Sequence, residues 1–146
     1  MRILRDGVYF SEGEDLEFIA AAAEEPVSLY SFHPDDYRAH KLAEIKAACE
    51  EELSSLQTSY PASEVLSWDK QEREARTFVA DPAAAVPLIS NLAAVRGISV
   101  SDLASRIIQK ADAYTAAIGA ALGKRQKLED QLNALTDWES MAEIKW

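Results

Sequence analysis

The chain has 146 residues, 48% hydrophobic and 27% charged, with a formal net charge of −10 and a pI of about 4.6. That length makes one domain the default and suffices for a core, whereas the acidity argues against nucleic-acid phosphates and anionic membrane surfaces as partners. A single cysteine, Cys49, excludes an internal disulfide, and with no run of about 20 apolar residues and charges throughout Met1 to Gly7, a cytosolic protein without signal peptide is expected.

The acidity is uneven. Residues 1–60 hold 5 basic and 13 acidic side chains, residues 61–146 hold 10 and 12. The chain therefore reads as a small acidic β-rich docking segment, 1–33, joined to a helical domain, 34–146. Arg2-Ile3-Leu4 and Val8-Tyr9-Phe10 flank Arg5-Asp6-Gly7, and Asp-Gly between apolar runs predicts a hairpin. Leu16-Glu17-Phe18-Ile19 and Val27-Ser28-Leu29-Tyr30 are further strand candidates, although the alanines after Ile19 equally suit a helical turn. Two to four short strands are marginal alone, so this unit must borrow a partner's edge or pack on the helices.

Pro34, followed by Asp35 and Asp36, opens a helix expected over 35–59. Its apolar residues Leu42, Ile45, Cys49, Leu53, Leu56 and Tyr60 fall three and four apart, a narrow stripe suited to coiled-coil-like pairing. Pro61 ends it. A second helix, 62–79, carries Val65, Trp68, Ala75, Phe78 and Val79, and the short link before it predicts an antiparallel helical hairpin. Asp81-Pro82 reads as a restart, with Asp as N-cap, for a third helix over 83–96, Pro87 being the alternative start. Gly97 closes that helix.

Ser99 with Asp102 resembles a capping box, with Ser101 as the other candidate cap, for the longest helix, 101–135. Its stripe is Leu103, Ile107, Ala111, Tyr114, Ile118, Leu122, Leu128, Leu132 and Leu135, and unbroken it would extend about 50 Å. Gly119 and Gly123 lie on one face and mark either a close backbone approach or a bend. Thr136-Asp137-Trp138-Glu139 reads as another capping box, with Thr136 as the cap, and launches a short last helix, 138–145. The fold expected is mainly α, an antiparallel hairpin or bundle with a long C-terminal helix and a small N-terminal β-hairpin unit, α+β overall.

No catalytic constellation emerges, and neither metal nor cofactor is expected. His33 and His40 lack the companions of a zinc site. Adjacent carboxylates in Asp35-Asp36 and Glu50-Glu51-Glu52 point in different directions on a helix and read as a solvated face. Cys49 lies on an apolar stripe, which suits a buried small hydrophobe more than a nucleophile. Residues 92–104 resemble a helix-turn-helix, but the second helix is too long and only Arg106 and Lys110 are basic near its start, which favours a structural corner. A non-enzymatic protein that presents surfaces follows. The partner-binding residues expected are Ile3, Val8 and Phe10 on the hairpin, Lys124, Arg125 and Lys127 in the single basic cluster, and Trp138 and Trp146, which either pack back or anchor a partner. Pro61, Pro82, Gly97, Gly119 and Gly123 are punctuation.

Ordered signposts run through residues 41–146. They are Leu42-Ala43-Glu44-Ile45, Ser59-Tyr60-Pro61, Trp68 with Gln71-Glu72, Ala80-Asp81-Pro82-Ala83-Ala84, Ala94-Val95-Arg96-Gly97-Ile98, Lys110-Ala111-Asp112-Ala113-Tyr114, Gly123-Lys124-Arg125-Gln126-Lys127-Leu128-Glu129 and Ile144-Lys145-Trp146. In that order and spacing they resemble small phage and prophage tail-associated proteins, the tail fibre assembly proteins or tail assembly chaperones. The resemblance implies a tail fibre or another tail or baseplate protein as partner, and action in the bacterial host cytoplasm during assembly or within the virion tail. A transient chaperone and a structural subunit retained in the virion both stay open, with a helix-turn-helix regulator a distant third. Self-association through the two stripes is also open.

Overall fold

A computed structural model describes residues 1–146. The protein is mainly α, with one three-stranded antiparallel sheet near the N-terminus and one very long helix, so α+β overall. Contacts divide it into two compact units, residues 1–51 with 122–146, and residues 52–121. The expected boundary at residue 33 falls inside the first of these units. The β-segment has its core in common with the start of one helix and the end of the chain, because its strands are too short to bury an apolar face alone.

In the first unit, β1 (Arg2–Arg5) and β2 (Val8–Glu12) form the expected hairpin, with Asp6 at φ 51° and Gly7 at φ 79°. Two successive left-handed residues are what a two-residue turn needs to match strand twist. β3 (Tyr30–Phe32) pairs with β1, giving the order β2-β1-β3. A short 3-10 turn, Val27–Leu29, occupies most of the second strand candidate. The other candidate, Leu16-Glu17-Phe18-Ile19, is helical and opens α1 (Leu16–Ala22). Asp15 decides this, since its carboxylate accepts the Phe18 N–H at 3.0 Å as an N-cap and the alanines beyond carry the turn on.

α2 (Pro34–Ser55) starts where expected but stops four residues early. The Ser55 hydroxyl donates to Glu52 O at 2.6 Å and Thr58 to Ser55 O at 3.0 Å, side-chain bonds that compete with helix propagation. The sheet, α1 and α2 enclose Ile3, Leu16, Ala20, Tyr30 and Phe32, with Tyr37 and Trp138 packed against them. Tyr37 also borders a second cluster, Ile45, Leu132 and Met141. There α2 meets the last turns of α6 (Val100–Ala134) and α7 (Trp138–Ala142). Asp137, not Thr136, caps α7, accepting the Ser140 N–H at 2.7 Å. Arg38 reaches the end of α6, donating to Leu135 O at 2.8 Å and Leu132 O at 3.4 Å, a cationic cap for carbonyls without helical partners.

The second unit holds α3 (Ala62–Val65), α4 (Trp68–Ala80), α5 (Pro87–Arg96) and the first part of α6. The single helix expected over 62–79 is two, broken where the Ser67 hydroxyl donates to Glu64 O at 2.7 Å. Pro61 opens α3 as its N-cap. Asp81-Pro82 does not restart a helix. Asp81 instead makes a local turn, its carboxylate accepting from Ala83 N and its carbonyl from Ala84 N, both at 3.0 Å. α5 begins at Pro87, and Glu74 of α4 supplies its missing cap by accepting the Ile89 N–H at 3.0 Å. Gly97 ends α5 in the left-handed region, φ 67°, and the Ser99 hydroxyl caps α6 by accepting Asp102 N–H at 3.0 Å. Ala75, Val86, Ile89, Ala93, Leu103 and Ala104 are the buried core.

α6 is continuous through Gly119 and Gly123, and a methyl group added at either would meet nothing within 4 Å. The close approach expected there does not exist, so each glycine costs helix stability with no packing gain. Gly119→Ala and Gly123→Ala are each expected to stabilise by about 0.5–1 kcal/mol, read as a higher urea midpoint at unchanged slope.

Candidate docking surface

β2 is the outer strand of the sheet. Its register with β1 runs Arg5↔Val8, Leu4↔Tyr9 and Ile3↔Ser11, so Phe10 is an extra residue in a bulge. Val8 is 70% exposed, Tyr9 60% and Phe10 45%. Phe10 meets the Tyr30 ring edge-on at 5.3 Å between centroids, which holds the bulge in place while leaving half the side chain in solvent. Val8 and Phe10 are therefore where a partner can reach them. Ile3 is not. It is fully buried, a core residue packed with Leu16, Ala20, Tyr30 and Phe32, and its assignment to a partner surface is corrected: α1 and β3 cover it.

Both arginines of the hairpin are engaged. Arg2 binds Asp36, its backbone N–H donating at 2.8 Å, Nε at 2.9 Å and Nη2 at 2.5 Å. Arg5 Nε donates to Glu25 at 2.8 Å, with a second bond from Nη2, and the Tyr30 hydroxyl donates to Glu25 at 2.6 Å. Arg2 holds the Asp36 carboxyl far below the usual carboxylate range, chiefly through its side-chain hydrogen bonds. Tyr30 and then Arg5 lower Glu25. Carboxylates lowered by folding contribute stability that is complete above their unfolded pKa of about 4 and is lost as pH falls. Acid unfolding of an Asp36→Asn/Glu25→Gln double variant, followed by circular dichroism from pH 6 to pH 2, is expected to show a shallower pH dependence than the unsubstituted chain.

Asp6 in the hairpin turn, Glu12 in β2 and Glu14 just beyond it form no ion pair. Phe18 on α1 is another large exposed side chain, 70% open to solvent. Sequence reading missed it as a surface residue because it stood in a run taken for a strand.

The C-terminal candidates divide. Trp138 is packed, not presented: it sits edge-on to Phe32 at 5.3 Å and to Tyr37 at 5.7 Å. Of the two alternatives open for it, packing back is the one its contacts fit: it is partly buried against the core of the sheet. Trp146 is half-buried against the Ile45–Leu132–Met141 cluster, and Lys124 Nζ lies 4.3 Å from its ring centroid. Arg125 pairs with Glu129 at 2.7 Å. Lys127 is exposed and in no ion pair, so the basic cluster presents less free charge than its sequence suggests. In the second unit, Trp68 stands between Tyr60 and Tyr114 at 5.1 and 5.3 Å, an aromatic pin, with Lys110 Nζ 5.9 Å from the Tyr60 ring.

His33 Nδ1 accepts the Asp35 N–H at 3.3 Å, and His40 lies 3.3 Å from Glu44. No three His, Cys, Asp or Glu side chains converge as metal ligands, and no helix is long and apolar enough to cross a membrane. A family model described as the HI1402 helical domain matches residues 109–146, which covers most of α6 and all of α7. No curated protein and no solved structure matches the chain significantly.

Proposed function

We propose that this chain is a non-enzymatic assembly factor for a bacteriophage or prophage tail, binding a tail fibre or another tail protein in the host cytoplasm. The observation that carries the reading is the ordered series of signposts from Leu42 to Trp146 that resembles tail fibre assembly proteins. Several of these residues are structural punctuation, such as Pro61 ahead of α3 and Gly97 at the end of α5. This agrees with a protein whose recurring residues shape a binding body instead of an active site. The exposed, unpaired β2 with Val8, Tyr9 and Phe10 supplies a surface of the kind such binding uses.

The test is co-expression with a tail fibre protein of the same phage or prophage. Raised yield of soluble fibre and co-purification of the two chains are the expected results, with the chain missing from purified virions by mass spectrometry. Stoichiometric presence in virions replaces the transient role with a structural one. Soluble fibre made equally well without the chain, and no co-purification, overturns the reading.

A further inference from the structure

We propose that the free edge of β2 takes up a short extended segment of the partner, rich in lysine or arginine, as a fourth strand of the sheet. This rests on the reading that the chain works by binding another protein, and it names the chemistry that protein must present. Residues flanking a two-residue hairpin turn bond to each other, here Arg5 and Val8, so the next residue along an antiparallel strand turns its backbone groups the other way. The Tyr9 N–H and C=O therefore point to the open side, where no strand of this chain lies. An unpaired edge flanked by exposed apolar side chains is a template for another strand.

Charge selects the occupant. Arg2 and Arg5 are spent on Asp36 and Glu25, which leaves Asp6 in the turn, Glu12 at the end of β2 and Glu14 two residues beyond it without an ion pair of their own, although Glu12 stands opposite Arg2 in the ladder. A second copy of this chain fits poorly. Antiparallel self-pairing centred on Tyr9 sets Asp6 opposite Glu12, and like charges directly opposed are destabilising. The molecules also carry −10 each. A basic segment gains from the same carboxylates. The bulge at Phe10 twists the edge and limits the pairing to a few residues, which protects the acidic chain against indiscriminate strand addition.

The experiment displays a random twelve-residue peptide library against the full chain. The expected result is enrichment of lysine and arginine alternating with β-branched or aromatic residues. Two variants locate the site. Tyr9→Pro removes an N–H that faces solvent in the free protein, so the internal ladder keeps its bonds, and affinity for a selected peptide is expected to fall about tenfold or more. Glu12→Lys/Glu14→Lys is expected to abolish the basic preference, and serves if the proline variant melts at a lower temperature. Selected peptides without basic enrichment, no enrichment at all, affinity unchanged in both variants, or dimerisation through β2 each overturn the inference. Fibre co-purification without basic enrichment defeats this inference and leaves the proposed function standing. Basic enrichment without fibre binding does the reverse.

Discussion

Trp138→Ala is expected to lower the unfolding free energy by about 3–5 kcal/mol, a large part of the roughly 5–15 kcal/mol that holds a domain of this size together. The indole closes the core beneath the sheet, edge-on to both Phe32 and Tyr37. Such aromatic pairs contribute about 0.5–1.5 kcal/mol beyond their buried area. α7 has only five residues and no stability of its own at that length, so losing the indole removes one of the two large side chains, with Met141, that tie it to the core. Trp138→Phe separates shape from polarity. The Trp138 Nε1 is buried without a hydrogen-bond partner, and an unsatisfied buried donor is itself a cost. Phenylalanine removes that donor and keeps a ring against Phe32 and Tyr37, so it is expected to retain most of the stability that alanine loses. Urea denaturation of the three proteins checks this. A partner anchor would give the opposite pattern, with stability unchanged and binding lost.

In the second unit, Ile89→Ala is expected to cost about 2–5 kcal/mol. Ile89 is fully buried among Ala75, Val86, Ala93, Leu103 and Ala104. Three of those five neighbours are alanines, whose short side chains cannot swing in to fill a hole, so a cavity would persist, and residual cavity volume is what raises the cost within that range. Val95, six residues on in the same helix but 91% exposed, provides the control. Val95→Ala is expected to stay within about 0.5 kcal/mol of the unsubstituted chain. Equal effects at the two positions would mean that α5 does not bury the face described.

The candidate surface was partly legible in the sequence, and the reason is the difference between turn chemistry and burial. Asp6-Gly7 announces its hairpin because few residues tolerate two successive positive φ angles, and that placed Val8 and Phe10 on the hairpin's second strand. Ile3 is just as apolar and lies in the same hairpin, yet it is buried by Phe32 from a strand nearly thirty residues away. Trp138 and Trp146 were likewise indistinguishable as residues. The rings that receive Trp138 lie about a hundred positions earlier in the chain.

The sequence by itself determined the elements whose cause is local. The long helix is legible from its three- and four-residue spacing, its cap at Ser99 and the left-handed Gly97, and the structure runs it over Val100–Ala134 as expected within a residue. Each of those signals acts within one turn of helix, through backbone geometry or a neighbouring hydroxyl. Only the tertiary structure decided that α5 waits for Pro87. The reason at α5 is Glu74, a carboxylate on another helix that satisfies Ile89 N–H. Gly119 and Gly123 make the converse point. Their spacing implied a neighbour, and open space surrounds them, because a small residue permits a close approach without supplying anything that approaches.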